Sequence, residues 1–457
     1  MNLRTSEIDM LHGKLTKKLL LFTLPIALSS MIQQLFNAAD TAVVGYFCDS
    51  SALAAVGTNT EIIALIVTLS SGLAVGVNVL VASFYGREDT HNIPTAVRTA
   101  VLLSAFLGIV GALLGQTAVN PLLRLIHTPE NIFNSAEMYL RIYLSGYPFL
   151  LVYDFCSAVM RAKGDSRFPF FALTISGIVN VLLNLFFVVV FDMGVAGVAL
   201  ATAISNALSA LLVIIRLKKE KLFCFGIKRS DFSFSVIGDI LKTGIPSAVQ
   251  GAVFCFANIF VQASVNSFGE TAIAGSTIAM NFEYFTYYVI TAFGQTATTF
   301  TGQNFAAKKY DRCKIILRKC LLLSVAVSSV PIFLIVIFRT GLSGLFTKDA
   351  AVVESAGIRI MCILLFEPIC NFYEIPAGVL RGCGHAVFPA IGTIIGTCAF
   401  RIIWICTVFS CNPTLPMLYH AFPLSWGATI IIVNIGGIAI LRLNRGRMLN
   451  KQSAIRN

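Results

Sequence analysis

Charge is what this chain has least of: Asp, Glu, Lys and Arg together make 12% of its 457 residues, against 56% that are apolar. That scarcity excludes a water-soluble globular surface, since a soluble domain carries roughly a quarter of its residues as charges. Signatures of nucleotide and hydrolytic chemistry are missing too. No P-loop, HExxH or GxSxG run occurs, so nothing points to ATP hydrolysis, a zinc peptidase or a serine hydrolase. The twelve cysteines form no CxxC pair and no Cys/His set at zinc spacing. Most of them, including Cys156, Cys255, Cys362, Cys370, Cys398 and Cys406, sit in apolar runs and read as small apolar residues. No metal ligands, cofactor or catalytic residues are expected. The alternating pattern of membrane-barrel strands, about 10 residues each, is also absent.

What the chain does have is long apolar runs. Segments 18–47, 52–85, 96–118, 134–160, 167–191 and 194–217 each suit a hydrocarbon core of roughly 30 Å, which about 20 apolar residues cross. A second set follows at 236–266, 271–302, 314–338, 352–380, 386–410 and 420–441. The expected fold is therefore an all-α membrane protein of about twelve spans, because only helices or closed barrels satisfy their backbone in lipid. The first run is too long for the apolar stretch of a cleaved signal peptide. With the N terminus inside, only Arg124, Arg141, Arg339, Lys348 and Arg359 fall in outside segments, and Arg401 falls within a span. That bias predicts both termini in the cytoplasm. The net charge of +12 then reflects topology, and no nucleic-acid partner is needed to explain it.

The chain also says nearly the same thing twice. Residues 147–170 and 367–390 align at an offset of 220, pairing Pro148 with Pro368, Tyr153 with Tyr373, Arg161 with Arg381, Gly164 with Gly384 and Pro169 with Pro389. Asp154 meets Glu374 at the same offset, and Arg98 meets Arg318. Pro25 and Asn37 meet Pro246 and Asn258 one residue further along. Two copies with an even number of spans share one orientation, as in secondary transporters whose substrate path runs between repeats. The expected organisation is an N-lobe over 1–217, a basic cytoplasmic linker over 218–235 and a C-lobe over 236–457.

Charges inside spans are costly and mark candidate sites: Asp40, Glu61, Asp154, Glu283, Glu367, Glu374 and Arg401. Asp40, in FNAADTAVVG, has no basic partner on its own helix. Out of water such a carboxyl can load a proton from one side and lose it on the other, or hold a sodium ion; the plainer reading is a helix-end residue wetted by headgroups. Asp154 and Glu374 occupy equivalent places, either as relay or cation sites or as partners of basic residues that lock helices. Glu283, in NFEYFTYYVI beside Tyr287, suits an organic cation by charge and ring attraction, or an interfacial aromatic belt. Asn180 and Asn184 share a helix face, and Thr202 and Asn206 repeat that spacing. They extend a network around Asp40 or simply glue helices together. Pro25 and Pro246 each remove a hydrogen bond deep in the first span of a copy, so each is expected to kink its helix, and Pro25 is the candidate hinge.

The combination of LPIALSSMIQQLFNAADTAVVG, the pair VMRAKGDSRFP and VLRGCGHAVFP, GVAGVALATAISN and GQNFAA resembles the MATE family (multidrug and toxic compound extrusion), in its DinF/MepA-like bacterial branch. The resemblance covers both lobes. It implies a V-shaped antiporter of the cell membrane that exchanges cytosolic drugs, often organic cations, for external protons or sodium. Asp40 matches the family's first-helix coupling acid, Pro25 the proline about which that helix bends, and Asn180, Asn184 and Thr202 the amino-lobe cluster. Some members carry aspartate where this chain has Asn184, and residues 247–258 lack the seventh-helix acid of many sodium-coupled members. The ion-coupling set expected is Asp40, Asn180, Asn184, Thr202 and Asp154; the substrate-binding set is Gln34, Tyr153, Glu283, Tyr287 and Glu374. Partners expected are small organic molecules and membrane lipid, with the chain acting as a monomer. A flippase for lipid-linked saccharides is the alternative, disfavoured by the few basic residues within spans.

Overall fold

The computed structural model describes residues 7–126, 128–223 and 232–456, without the side chains of Ser50 and 438–456, and these residues form helices with no strand among them. In chain order they are α1 (Leu15–Phe47), α2 (Ser50–Gly86), α3 (Asn92–Leu125), α4 (Glu130–Ser145), α5 (Tyr147–Lys163), α6 (Arg167–Leu185), α7 (Gly194–Lys219) and α8 (Phe234–Asn266). There follow α9 (Glu270–Ala306), α10 (Tyr310–Ile337), the short α11 (Arg339–Gly344), α12 (Ala350–Cys362), α13 (Asn371–Gly382), α14 (Val387–Thr393), α15 (Phe400–Trp404) and α16 (Leu415–Arg456). Taken end to end they make the twelve expected passages. Among the described residues nine are long and apolar enough to span by themselves, and the α4–α5 pair, bent by 43°, makes a tenth.

Four passages are interrupted where a single span is expected from sequence, the fifth by a π-helical turn over Phe186–Val190. The fourth breaks at Gly146, against which Ala203 of α7 packs closely. The tenth changes to a 3-10 turn over Leu364–Cys370, where Pro368 cannot donate the bond that would continue α12. The eleventh carries two π-helical turns, Ile394–Ala399 and Ile405–Phe409, on either side of α15. By contrast, α1 and α8 run unbroken through Pro25 and Pro246. The Ser29 hydroxyl donates to the Pro25 carbonyl at 2.7 Å in the turn above the ring.

The repeat is visible in backbone detail. At the end of α5, Gly164 (φ 112°) closes the helix, with its N–H donating to Arg161 O at 3.0 Å and that of Asp165 to Met160 O at 3.0 Å. At the end of α13, Gly384 (φ 84°) does the same, with its N–H on Arg381 O at 2.9 Å and that of His385 on Leu380 O at 2.9 Å. Both are Schellman closures, whose left-handed residue carries little strain only as glycine. The recurring Arg-x-x-Gly signature is thus a helix stop.

The helices group into two units. One holds the chain up to Ala248 with Gly302–Lys308, the other Val249–Thr301 with Lys309 onward. In the first, α5 packs among α2, α3 and α7 around Leu151, Phe155, Val159 and Val213. Gly76 of α2 lies against the backbone of α8 at Ile240 and Gly244, so the start of α8 is seated on α2. In the second, Val261, Ile290, Tyr373, Leu418, Tyr419 and Trp426 belong to one buried apolar cluster. Outward faces of both units are apolar, as Leu114, Leu182, Ile403 and Ile431 show. Such faces are stable only against hydrocarbon, which makes this a multi-pass membrane protein.

Candidate functional site

Asp40 is buried, and its partners come from two other helices of the first unit. Asn180 and Asn184 stand on one face of α6 because a four-residue step is just over one helical turn. Thr202 faces them from α7. The Asn184 Nδ2 donates to Asp40 Oδ1 and also to Asn180 Oδ1 at 3.3 Å. Asn180 Nδ2 donates to Thr202 Oγ1 at 3.3 Å, and the Thr202 hydroxyl reaches Asp40 Oδ2 at 3.3 Å. The four side chains close a ring that contains no basic residue. Asn206 stands outside it.

Two features of the ring bear on chemistry. The Thr202 hydroxyl also points at Val198 O, 3.0 Å away, and its single hydrogen serves one acceptor at a time. Asn184 Oδ1 is buried and accepts no hydrogen bond. Oxygen atoms of Asp40, Asn180 and Thr202 therefore meet around the Asn184 amide, a set suited to a proton or a hard monovalent cation. An apolar wall of Val43, Val44, Tyr139, Val188, Val198 and Ala199 encloses the cluster. Gly177 on α6 lies against the Phe36 ring, where a side chain would push α1 away. A π-helical turn, Phe186–Val190, begins just after Asn184, and such turns collect at functional sites.

The other candidate residues are not gathered into this ring. Asp154 of α5 accepts from the Ser70 hydroxyl at 2.6 Å and lies within electrostatic reach of Arg161. Tyr153 donates its hydroxyl to Pro169 O at 3.1 Å, tying α5 to α6. Gln34 is half-buried on α1, the helix that carries Asp40. In the second unit, Glu374 pairs with Arg381 at 3.1 Å, and Arg381 also donates to Gln250 Oε1 at 3.2 Å. Tyr287 and Tyr373 share a hydrogen bond between their hydroxyls.

Glu283 is engaged by a partner that the sequence placed elsewhere. Arg359, assigned by loop position to an outside segment, is buried on α12 at 4% exposure. Its Nε and Nη2 donate to the two Glu283 oxygens at 2.8 Å each, and its Nη1 to Ser276 Oγ at 2.8 Å. The helical face of α12 that buries Val352, Ala356, Arg359 and Ile360 is readable as a periodic pattern, and it places Arg359 inward. Glu367, also buried, accepts from the Thr286 hydroxyl at 2.5 Å.

Comparison with known proteins agrees with the repeat and the helix count. The MatE family model matches residues 25–186 and 246–406, one stretch in each copy. The probable multidrug resistance protein YoeA of Bacillus subtilis (strain 168) is 26% identical over 384 residues, covering 82% of each chain. The multidrug export protein MepA of Staphylococcus aureus (strain N315) is 23% identical over 385 residues, covering 83% of this chain and 84% of its own. Among solved structures, a crystal structure of MATE in complex with MaL6 superposes with a TM-score of 0.88 at 21% identity, covering 96% of this chain and all of the other. The matched stretches contain Asp40, Asn180, Asn184 and both Arg-x-x-Gly stops, and the chain belongs to the MatE family of membrane transporters.

Proposed function

We propose that the chain exports drugs and similar small organic compounds, often cationic, in exchange for a proton or sodium ion. It works as a monomer in the cytoplasmic membrane with both termini inside. The observation that carries this reading is the ring around Asp40, a buried carboxyl whose hydrogen-bond partners are all neutral. Relatives named as multidrug proteins support the substrate class.

The ring supplies a switch. With Asp40 ionised, both its oxygens accept, one from Asn184 and one from Thr202. A proton placed on Oδ2 turns that oxygen into a donor toward Thr202, whose own hydrogen then serves Val198 O. A sodium ion acts instead by drawing Asp40, Asn184 and Asn180 oxygens together. Either event changes how α1 is held against α6 and α7, and a two-state carrier turns such a difference in contacts into a shift between its states. One carboxyl cannot serve the ion and hold its ionised contacts together, which makes ion loading and cargo loading alternate.

The test is uptake of a cationic dye into proteoliposomes, driven first by a pH gradient and then by a sodium gradient. Uptake driven by one of them supports the reading and names the ion. Uptake equal with and without either gradient refutes it.

A further inference from the structure

Within the first unit Asp40 is buried and Asp154 half-buried, and the fourth passage sets a file of tyrosines between them. Tyr139, Tyr143 and Tyr147 follow at four-residue steps across the bend at Gly146. All three are buried, at 4%, 7% and 9% exposure. The rings of Tyr139 and Tyr143 stack with their centroids 6.5 Å apart. The Tyr147 ring lies against Gly111 of α3, where a side chain would displace it. Tyr139 is within electrostatic reach of Asp40, Tyr147 of Asp154, and Tyr143 of both acids at once. Beyond Asp154 on the same helix stands Arg161, within reach of Asp154 and of Tyr153.

Packing alone needs no hydroxyl at these places. The chain has 36 phenylalanines and 12 tyrosines, so phenylalanine is its ordinary aromatic filler. Three successive tyrosines on one helix face keep oxygen atoms between two acids where a plain ring would fill the same space. Each acid also accepts from an aliphatic hydroxyl, Asp40 from Thr202 at 3.3 Å and Asp154 from Ser70 at 2.6 Å. A hydroxyl has one hydrogen and two lone pairs, so it can serve either state of its acid. The 22 steps from Tyr139 to Arg161 (161 − 139) rise about 33 Å along the helix, close to the depth of a hydrocarbon core. The fourth passage thus carries oxygen-bearing side chains from the wall of the Asp40 ring to its inner end.

We infer that the coupling proton leaves Asp40 along Tyr139, Tyr143 and Tyr147 and is handed to Asp154, which releases it to the cytoplasm. This rests on the exporter reading and deepens it by naming the ion as a proton and giving it an exit. Asp40 passes its hydrogen to the first oxygen of the file and is left a carboxylate. Each phenol takes a hydrogen on its oxygen as it passes its own onward, with water bridging the longer gaps, so no tyrosine ionises. The last hydrogen lands on the Asp154 carboxylate and goes from there to water at the inner end of α5. Arg161 supplies the positive charge that attracts the restored Asp154 carboxylate. Acids that pass protons in this way are a recurrent use of intramembrane carboxyls.

The experiment uses the purified chain in proteoliposomes with radiolabelled ethidium and two readouts: uptake driven by a pH gradient, and exchange of labelled for unlabelled ethidium at equal pH. Exchange swaps cargo for cargo and needs no proton to leave, so it separates the relay from cargo binding and folding. Asp154→Asn is expected to abolish gradient-driven uptake. Tyr143→Phe is expected to slow it about ten-fold, the value of one hydrogen bond in a barrier. Both are expected to keep exchange, and Asp154→Glu, which returns a carboxyl, is expected to recover the drive. Tyr143→Phe carries the test if Asp154→Asn fails to fold. Gradient-driven uptake at the wild-type rate in either variant, or exchange lost together with the drive in both, overturns the relay. Wild-type uptake driven by sodium alone also overturns it and leaves the exporter reading standing. Uptake driven by neither gradient overturns both.

Discussion

Asn184 of α6 donates its amide hydrogen to the Asp40 carboxylate of α1, joining two side chains 144 residues apart. The same nitrogen holds Asn180, so one amide sets both the acid and the residue that positions Thr202. The ring therefore behaves as a unit, and losing one member disturbs the rest.

Removal of Asn184 is the sharpest probe of that dependence. Asn184→Ala leaves Asp40 with Thr202 as its one donor and is expected to reduce gradient-driven export about ten-fold. It is also expected to cost about 1–3 kcal/mol of stability, the penalty of a buried group left without its partner. Transport assays and unfolding of the purified variant measure the two effects, and an export rate equal to wild type would refute the ring's role.

Glu283 and Arg359 form the best-made ion pair in the second unit. Glu283→Gln strands a buried guanidinium and is expected to destabilise the protein by about 3–5 kcal/mol. Adding Arg359→Met is expected to recover most of that loss, since the uncompensated charge goes with it. Denaturant titration of the wild type, the two single variants and the double variant closes the cycle.

Packing between α2 and α8 gives a prediction independent of charge. A methyl group at Gly76 meets the Ile240 carbonyl, so Gly76→Ala is expected to destabilise by about 1–3 kcal/mol. Gly57, on the same helix, has nothing within 4 Å of that position. Gly57→Ala is expected to stabilise by up to about 1 kcal/mol through helix propensity. Thermal melts of the two variants should move in opposite directions.

Much of this structure was legible before any coordinates. Apolar run length reports local backbone needs, so the spans and the doubling of Arg-x-x-Gly could be read along the chain. Asp40, Asn180, Asn184 and Thr202 were legible because each lies in a polar break on an otherwise apolar helix. Pairing across helices was not. Arg359 lies 76 residues from Glu283, and no local pattern says which acid it will meet. The breaks at Gly146 and Leu364–Cys370 were missed for a related reason, since composition gives the length of a passage and not its path. The linker over 218–235 is only partly visible, because 224–231 lie outside the described residues.

The most direct measurement compares wild type with Asp40→Asn in proteoliposomes under the driving gradient, alongside dye binding in detergent. Asparagine keeps the size of the side chain and removes its titratable charge. The account predicts that the variant inserts, folds and binds dye, while gradient-driven export is lost. Export at the wild-type rate by Asp40→Asn would contradict it.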